Sequence, residues 1–453
     1  MPSTRIASIV LIALLLPFLL APSTVDATLR WRKLTTSPPD GFRHDDIFFI
    51  DPLTGWGVNL GGLIFKTTDG GATWDTLLIQ PQTPFRCIGF ANPMTGWAAS
   101  LGPGCFQPTT DSTLVFATTD GGANWSAVTN IPEPKPKGLC GMSVVNEDVV
   151  YAAGRVCDTP RVIKTTDQGL TWATIDMSPY ASRLIDCKFF SPDSGFAVGG
   201  IQDTVAGQSR ALVLFTSNGG ASWVTRHVGS ALNQWCWKIS FPTRSVGCVA
   251  VQANGASPTS IFLKTTDGGE TWVEKLTTGA PTAYFMQGIG FATEMIGWIG
   301  GSNESYMTTD GGDTWTMDPN FGSGDDDINR FQFLHSTLGY SVGRKVFKYS
   351  DDAAVGVAAV GDREAASPLA LHAVHPNPFC ESTTIGYALP RAGEISLRLY
   401  DALGREAATV EDGWRAAGSH WSRLPARSLQ SGVYFLHLRG AGVAETRKVA
   451  LVR

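Results

Sequence analysis

An eight-residue string returns six times along this chain: Thr67–Trp74 (TTDGGATW), Thr118–Trp125 (TTDGGANW), Thr165–Trp172 (TTDQGLTW), Thr216–Trp223 (TSNGGASW), Thr265–Trp272 (TTDGGETW) and Thr308–Trp315 (TTDGGDTW). Its closing tryptophans lie 51, 47, 51, 49 and 43 residues apart. A period in the forties marks a propeller or solenoid, in which each repeat buries its faces only against its neighbours. A second signature precedes each string: an apolar residue, a short turn, then Gly with an aromatic, as in Phe49…Gly55-Trp56, Phe90…Gly96-Trp97, Phe189…Gly195-Phe196 and Phe291…Gly297-Trp298. Val144…Tyr151 and Phe241…Gly247-Cys248 are weaker copies. The pattern predicts four antiparallel strands per repeat: A through the Phe, B through Gly-aromatic, C before the string, as in Leu63–Lys66, and D after its Trp. The string itself is the C–D turn. Gly supplies positive φ cheaply there, and the Asp carboxylate accepts N–H bonds of its own turn.

A seventh copy, Phe333…Gly339-Tyr340 with Val346–Asp352, lacks the glycines and the final Trp. The missing strand stands at the other end of the chain, because Leu29-Arg30-Trp31-Arg32-Lys33-Leu34 resembles the segment that follows each string. A ring of seven four-stranded blades closes when the N-terminal segment supplies the last outer strand, so that no edge is left exposed. The predicted fold is all-β, a seven-bladed propeller over residues 28–352. With 50 glycines, 14 tryptophans and only 17% charged residues, the composition suits short strands and tight turns. A net charge of −5 excludes a polyelectrolyte and argues against nucleic acid or anionic membrane as partner.

The strings match the Asp box, or bacterial neuraminidase repeat, Ser/Thr-x-Asp-x-Gly-x-Thr/Ser-Trp. The resemblance gives Asp69, Asp120, Asp167, Asn218, Asp267 and Asp310 a structural role. Asn218 agrees with that role, since Asn serves as a turn acceptor but not as a catalytic acid. Each string's Trp is expected to pack back on its blade with the indole N–H near a partner.

Both ends of the chain speak of export. Arg5, the apolar run Ile6–Ala21 and the small residues Val25-Asp26-Ala27 form a signal peptide over residues 1–27, with a mature start at Thr28. No transmembrane segment remains after its removal. Residues 353–370 read as a linker. From Leu371 to Arg453 the chain holds 10 Lys+Arg and 7 Asp+Glu, so this part is basic while the rest is acidic. His375-Pro376-Asn377-Pro378-Phe379 opens it, followed by Thr383–Pro390, Ile395–Asp401, Ser431–Phe435 and a basic, apolar end at Lys448–Arg453, the pattern of a small immunoglobulin-like β-sandwich over 371–453. These motifs resemble the C-terminal sorting domain of the Por (type IX) secretion system, whose fold is similar to the immunoglobulin-like domain of the flagellar hook-capping protein. The resemblance implies secretion machinery as a partner, passage through the periplasm, and a destination in the medium or on the outer cell surface.

The eight cysteines show no CxxC or Cys/His metal spacing, and no metal or cofactor is expected. Cys87 and Cys105 flank one A–B hairpin, and Cys140 and Cys157 flank the next, so the spacing predicts disulfides Cys87–Cys105 and Cys140–Cys157. Pairing of Cys187, Cys236, Cys248 and Cys380 is left open.

A–B and C–D turns are short and share one face of the ring; the variable D–A and B–C loops share the other, where ligands usually bind. Candidate ligand residues there are Arg43, Arg86, Arg183, Trp235, Trp237, Tyr284 and Arg330. Asp-box propellers include sialidases, xyloglucan hydrolases, sortilin-type receptors and the photosystem II stability and assembly factor family. The Gly-Trp strand before each string looks most like the last family, which implies non-catalytic protein binding with an arginine patch on the ring. The competing class is a glycoside hydrolase. The early Arg-Ile-Pro motif of sialidases is absent, no Glu occurs between Asp148 and Glu270, and only Asp46 with Asp326 offers a carboxylate pair. The sequence therefore points to an exported, non-catalytic propeller that binds a protein or glycan.

Overall fold

The computed structural model describes residues 29–351 and 370–452, apart from 37, 39–40, 106–109, 155–156, 205–206, 254–260, 280–285, 303, 322–326, 376, 381, 390–392, 416–417, 428 and 441–442. The signal peptide 1–27, nearly all of the linker 353–370, Tyr284 and Asp326 lie outside the described residues. The described part contains strands and turns and no helix, so none of its helices is long and apolar enough to cross a membrane.

Seven four-stranded antiparallel sheets follow one another along residues 30–350. Their innermost strands are His44–Phe49, Phe85–Phe90, Leu139–Val144, Arg183–Phe189, Gln234–Ser240, Gly288–Phe291 and Arg330–His335, in blades one to seven. Each packs against the innermost strand of the next blade, and that of blade seven packs against that of blade one. The sheets thus form a closed ring around an axis. The seventh blade takes its outer strand from the N-terminal end, as the sequence predicts: Arg30–Lys33 runs antiparallel to Val346–Ser350, with Arg30 opposite Ser350 and Lys33 opposite Phe347. Trp31 of that strand is 1% exposed and packs on Trp298, Phe331 and Tyr349.

Apolar residues fill the spaces between blades. Trp56 of blade one stacks on Phe90 of blade two at 3.7 Å, Tyr340 of blade seven on Phe49 of blade one, and Tyr151 of blade three on Phe189 of blade four. Where glycine precedes the B-strand aromatic, it is imposed by the A strand opposite: a Cβ on Gly55 would stand 2.6 Å from the Phe49 ring.

The six strings form the same turn. In blade one, Asp69 Oδ1 accepts from Thr67 Oγ1 and from the Thr73 amide, and its Oδ2 accepts from Thr73 Oγ1 at 2.6 Å. Asn218 reproduces the set, accepting from Thr216 Oγ1 and the Ser222 amide and donating through Nδ2 to Ser222 Oγ. Gly71 has φ of +90°, and a Cβ there would meet Leu34 of the closing strand at 2.5 Å. The indoles depart from expectation. Nε1 of Trp74, Trp125, Trp172, Trp223, Trp272 and Trp315 has no hydrogen-bond acceptor. Several stand edge-on to A-strand rings instead, as Trp125 does to Phe90 at 89° and Trp223 to Phe189 at 87°, so aromatic edge-to-face contact takes the place of a hydrogen bond.

Four of the strings also tie their blade to the one before. Lys66 of blade one donates to the Gly121 carbonyl of blade two, Lys164 of blade three to Gly219 of blade four, Lys264 of blade five to Gly311 of blade six, and Lys348 of blade seven to Gly70 of blade one. The B-strand groups Trp56 Nε1, Tyr151 Oη and Tyr340 Oη reach the same kind of carbonyl.

Beyond residue 370 two sheets face each other. One holds Ala370–His375, Ser382–Leu389 and Gly418–Pro425; the other holds Glu406–Arg415, Gly393–Asp401, Gly432–Gly440 and Val443–Leu451. Alternate residues Ile395, Leu397 and Leu399 point inward and meet Ile385, Tyr387, Leu436 and Leu438 in one core. That alternation is what makes a sandwich.

The disulfide prediction requires correction. The bond joins Cys105 to Cys157, with Cα atoms 5.9 Å apart, and Cys87 and Cys140 are free. The two expected partners lie on innermost strands and are buried at the axis, Cys87 opposite Ala99. Cys105 and Cys157 lie beyond the ends of their B strands, on loops of neighbouring blades, where they meet each other. Cys187, Cys236 and Cys248 are buried thiols, which burial pushes up in pKa, Cys236 and Cys248 to about 12; Cys380 is exposed and free.

Candidate functional site

The axis is built from a repeated irregularity. In blades one to four the inner strand carries a register shift, between His44 and Asp46, Phe85 and Cys87, Leu139 and Gly141, and Leu184 and Asp186; in blade five it falls between Cys236 and Ile239. A bulge re-aims the side chain it contains. Counting four residues back from the inner-strand Phe or its equivalent gives one position per blade: Asp45, Arg86, Cys140, Ile185, Trp237, Gln287 and Asn329. These form a connected layer. Asp45 is fully buried and accepts from Arg43 Nε at 2.6 Å and from Arg86 Nη1 at 2.5 Å. Arg86 lies over Trp237, 5.3 Å from its centroid. Trp237 Nε1 donates to Asn329 Oδ1, and Asn329 Nδ2 donates to the Asp45 carbonyl. Arg43 also donates to Gln287 Oε1 at 2.9 Å. Burial alone would raise the pKa of Asp45, but Arg43 and Arg86 overcome it and hold the carboxyl below its ordinary range.

A second layer lies one residue further along. Arg330 donates through Nε to Asp46 at 2.7 Å and through Nη1 to Asp186 at 3.2 Å. These carboxylates also cap backbone that the ring leaves without a strand partner: Asp46 Oδ2 accepts from the Ile88 amide of the next blade, and Asp186 Oδ2 from the Ile239 amide of its next blade. Asp46 Oδ1 further accepts from the Ile47 amide. Lys238, 1% exposed, donates to the Cys140 carbonyl, and burial lowers its pKa. Near the turn side the same capping recurs, since Gln332 Oε1 accepts from the Phe49 amide and Ser143 Oγ from the Phe189 amide. Inner-strand N–H groups that have no further strand to bond are thus satisfied by side chains of the preceding blade.

Of the candidates named from sequence, Arg43, Arg86, Trp237 and Arg330 come together here, engaged with one another's partners. Asp46 is 4% exposed, and both its oxygens accept hydrogen bonds from Arg330 and backbone amides. Its nominated partner Asp326 lies outside the described residues; the adjacent Asp327 pairs with Arg344. Arg183 and Trp235 stand apart from this network. They lie at the loop-side ends of the inner strands of blades four and five, with the guanidinium centre 4.6 Å over the indole. Among the described residues Arg183 has no carboxylate partner, its Nε and Trp235 Nε1 are unpaired, and the neighbouring Gln234, 1% exposed, has an unpaired Oε1. No group of three or more His, Cys, Asp or Glu fit for a metal ion occurs among the described residues.

Sequence reasoning overlooked Asp186, Lys238, Gln287 and Asn329. Aligning the copies on the A-strand Phe would have placed them in register with Asp46, Asp45 and Arg86; reading for charge and aromatic type alone did not.

Residues 373–452 match the family model described as secretion system C-terminal sorting domain. The tail is a type IX sorting domain. The sorting domain addresses the chain for export, to the medium or the cell surface. Upstream of it, 162 residues are 28% identical to the photosystem II assembly lipoprotein Ycf48 of Synechococcus sp. (strain CC9902), covering 34% of this chain and 43% of that protein, less than half its length. Two solved structures share the propeller fold at 18% identity and a TM-score of 0.53. One is described as YCF48 bound to D1 peptide, covering 72% of this chain and 96% of its own. The other is YCF48 from Cyanidioschyzon merolae, at 71% and 98%. The chain therefore joins a Ycf48-like propeller to a sorting domain.

Proposed function

We propose that this chain is a binding propeller, exported through the periplasm to the outer surface or the medium, that captures a protein segment on its loop-bearing face without turning it over. The observation that carries this reading is the Arg183–Trp235 pair. A guanidinium spread over an indole, with no acid of its own among the described residues, matches a ligand that brings a carboxylate or carbonyl together with apolar surface, and the unpaired buried amide oxygen of Gln234 beside it suits an N–H of the same ligand. At the axis Asp45 is engaged by Arg43 and Arg86, and Asp46 by Arg330 and backbone amides, which supports binding over catalysis. That a propeller of the same fold is described as bound to a peptide favours a protein segment over a glycan.

The test is a screen of the purified full chain against peptide and glycan arrays and against chromogenic glycosides. Binding to peptides that falls at least about tenfold in both Arg183→Ala and Trp235→Ala supports the proposal. Glycoside turnover that disappears in Asp46→Asn would instead establish the hydrolase reading.

A further inference from the structure

The seven innermost strands carry five cations, Arg86, Arg183, Lys188, Lys238 and Arg330, against three carboxylates, Asp45, Asp46 and Asp186. Asp45 is taken by Arg43 and Arg86, while Asp46 and Asp186 are shared by Arg330 with Lys238 in their field. The two cations in excess stand at opposite ends of the axis. Arg183 belongs to the loop-bearing face. Lys188 stands at the other end, next to Phe189 and the A–B turn, with neither an acid partner nor a hydrogen bond among the described residues.

Lys188 is the one exposed residue on an otherwise buried or half-buried inner strand. Neighbouring blades cover both faces of that strand, so its exposure is to water on the axis. At the same register level Ser143 and Gln332 accept from the next blade's Phe amide. A lysine has no lone pair to do so while charged. A second cation without a carboxylate partner among the described residues lies over the ring of Phe190, two residues along from Lys188. This is Arg244, on the A–B turn of blade five, 3.9 Å over that ring, and it and Arg330 both repel the Lys188 ammonium. Asp186, two residues back on the same strand, has one oxygen committed to Arg330 and the Ile239 amide and its other oxygen unpaired, and among the described residues no ion pair joins it to Lys188. Ser240 is the register equivalent of Lys188 one blade on, and it lines a shallow cleft with Phe241, Phe291, Phe333 and His335.

We infer that Lys188 and Arg244 form an oxyanion site at the turn-side mouth of the axis, taking a phosphate or carboxylate group whose apolar remainder lies along the Phe241–Phe291–Phe333 cleft. Two cations held near each other without a counter-charge are stabilised by an anion between them. The site is separate from the loop-bearing face and does not depend on the peptide reading.

The experiment is thermal unfolding of the purified full chain with inorganic phosphate or with acetate, against chloride at matched ionic strength. Phosphate, acetate or both raise the Tm and chloride does not; whichever acts identifies a phosphoryl or a carboxylate ligand. In Lys188→Met and in Arg244→Met the apparent affinity falls at least about tenfold. Lys188→Met also unfolds no lower than the parent without anion, because it removes a cation from among cations, which separates loss of the site from loss of the fold. Absence of any anion-specific shift, or a shift retained in either variant, overturns the inference.

Discussion

Asp120 and Asp310 act by accepting hydrogen bonds within their own turns. Asn124 and Thr118 pull the Asp120 carboxyl down to about 2; at Asp310 burial opposes Thr314 and Thr308, which still bring it to about 2. A carboxyl whose folded pKa is depressed contributes stability that is present above the unfolded value of 3.8 and lost as the pH falls toward 2. The Tm of the full chain should therefore drop steeply between pH 4 and about pH 2, and Asp120→Asn should flatten part of that slope, since Asn218 already performs the same job. His44 titrates in a different window. Burial lowers its pKa from 6.5 to about 4, so the unfolded chain takes up a proton that the folded one refuses. Stability is full above pH 6.5 and declines to a deficit of about 3 kcal/mol below pH 4; His44→Phe, beside the Phe65 ring, should remove that component from a pH series of urea midpoints. The structural turns were legible in the sequence because six copies state the same chemistry. The axial pairs were less so: Asp46 read as one half of a carboxylate pair with Asp326, and the bulge that turns Asp45 and Asp46 inward leaves no mark on residue type.

Strands, and the order in which they pair, followed from the repeat, down to the borrowed strand Arg30–Lys33. Trp31 is the test of that clasp. Trp31→Ala removes a ring held by Trp298, Phe331 and Tyr349 and should cost about 3–5 kcal/mol, read as a lower urea midpoint with early proteolysis near Val346–Ser350. The cysteine pairing was misjudged at this level. Two cysteines that flank one hairpin are close only if both lie at its open end, and the inner-strand cysteines do not. Thiol labelling should find one reactive group in the native chain, Cys380, and six after unfolding without reductant, in keeping with the single Cys105–Cys157 bond. Reduction should then add two.

Taken whole, the molecule is a ring joined to an address. Deleting Leu371–Arg453 should leave the seven blades folded, because their clasp is complete by Ser350, yet keep the protein inside the cell envelope on fractionation; unchanged delivery to the surface would refute the role of the tail. Architecture was readable at this level because the repeat, the closing strand and the tail motifs are each local strings. Ligand identity was not, since recognition depends on which side chains from four or five blades converge, and convergence is a property of the closed ring alone.

The clasp has a mechanical consequence. The tail departs just past Ser350, on the strand that Arg30–Lys33 grips in antiparallel register. Any pull transmitted through the tail, as from a tether or from passage across a membrane, runs along that strand. Its rungs are then strained together in shear instead of being unzipped one at a time. A ring sewn shut in this way resists being dragged by its own handle.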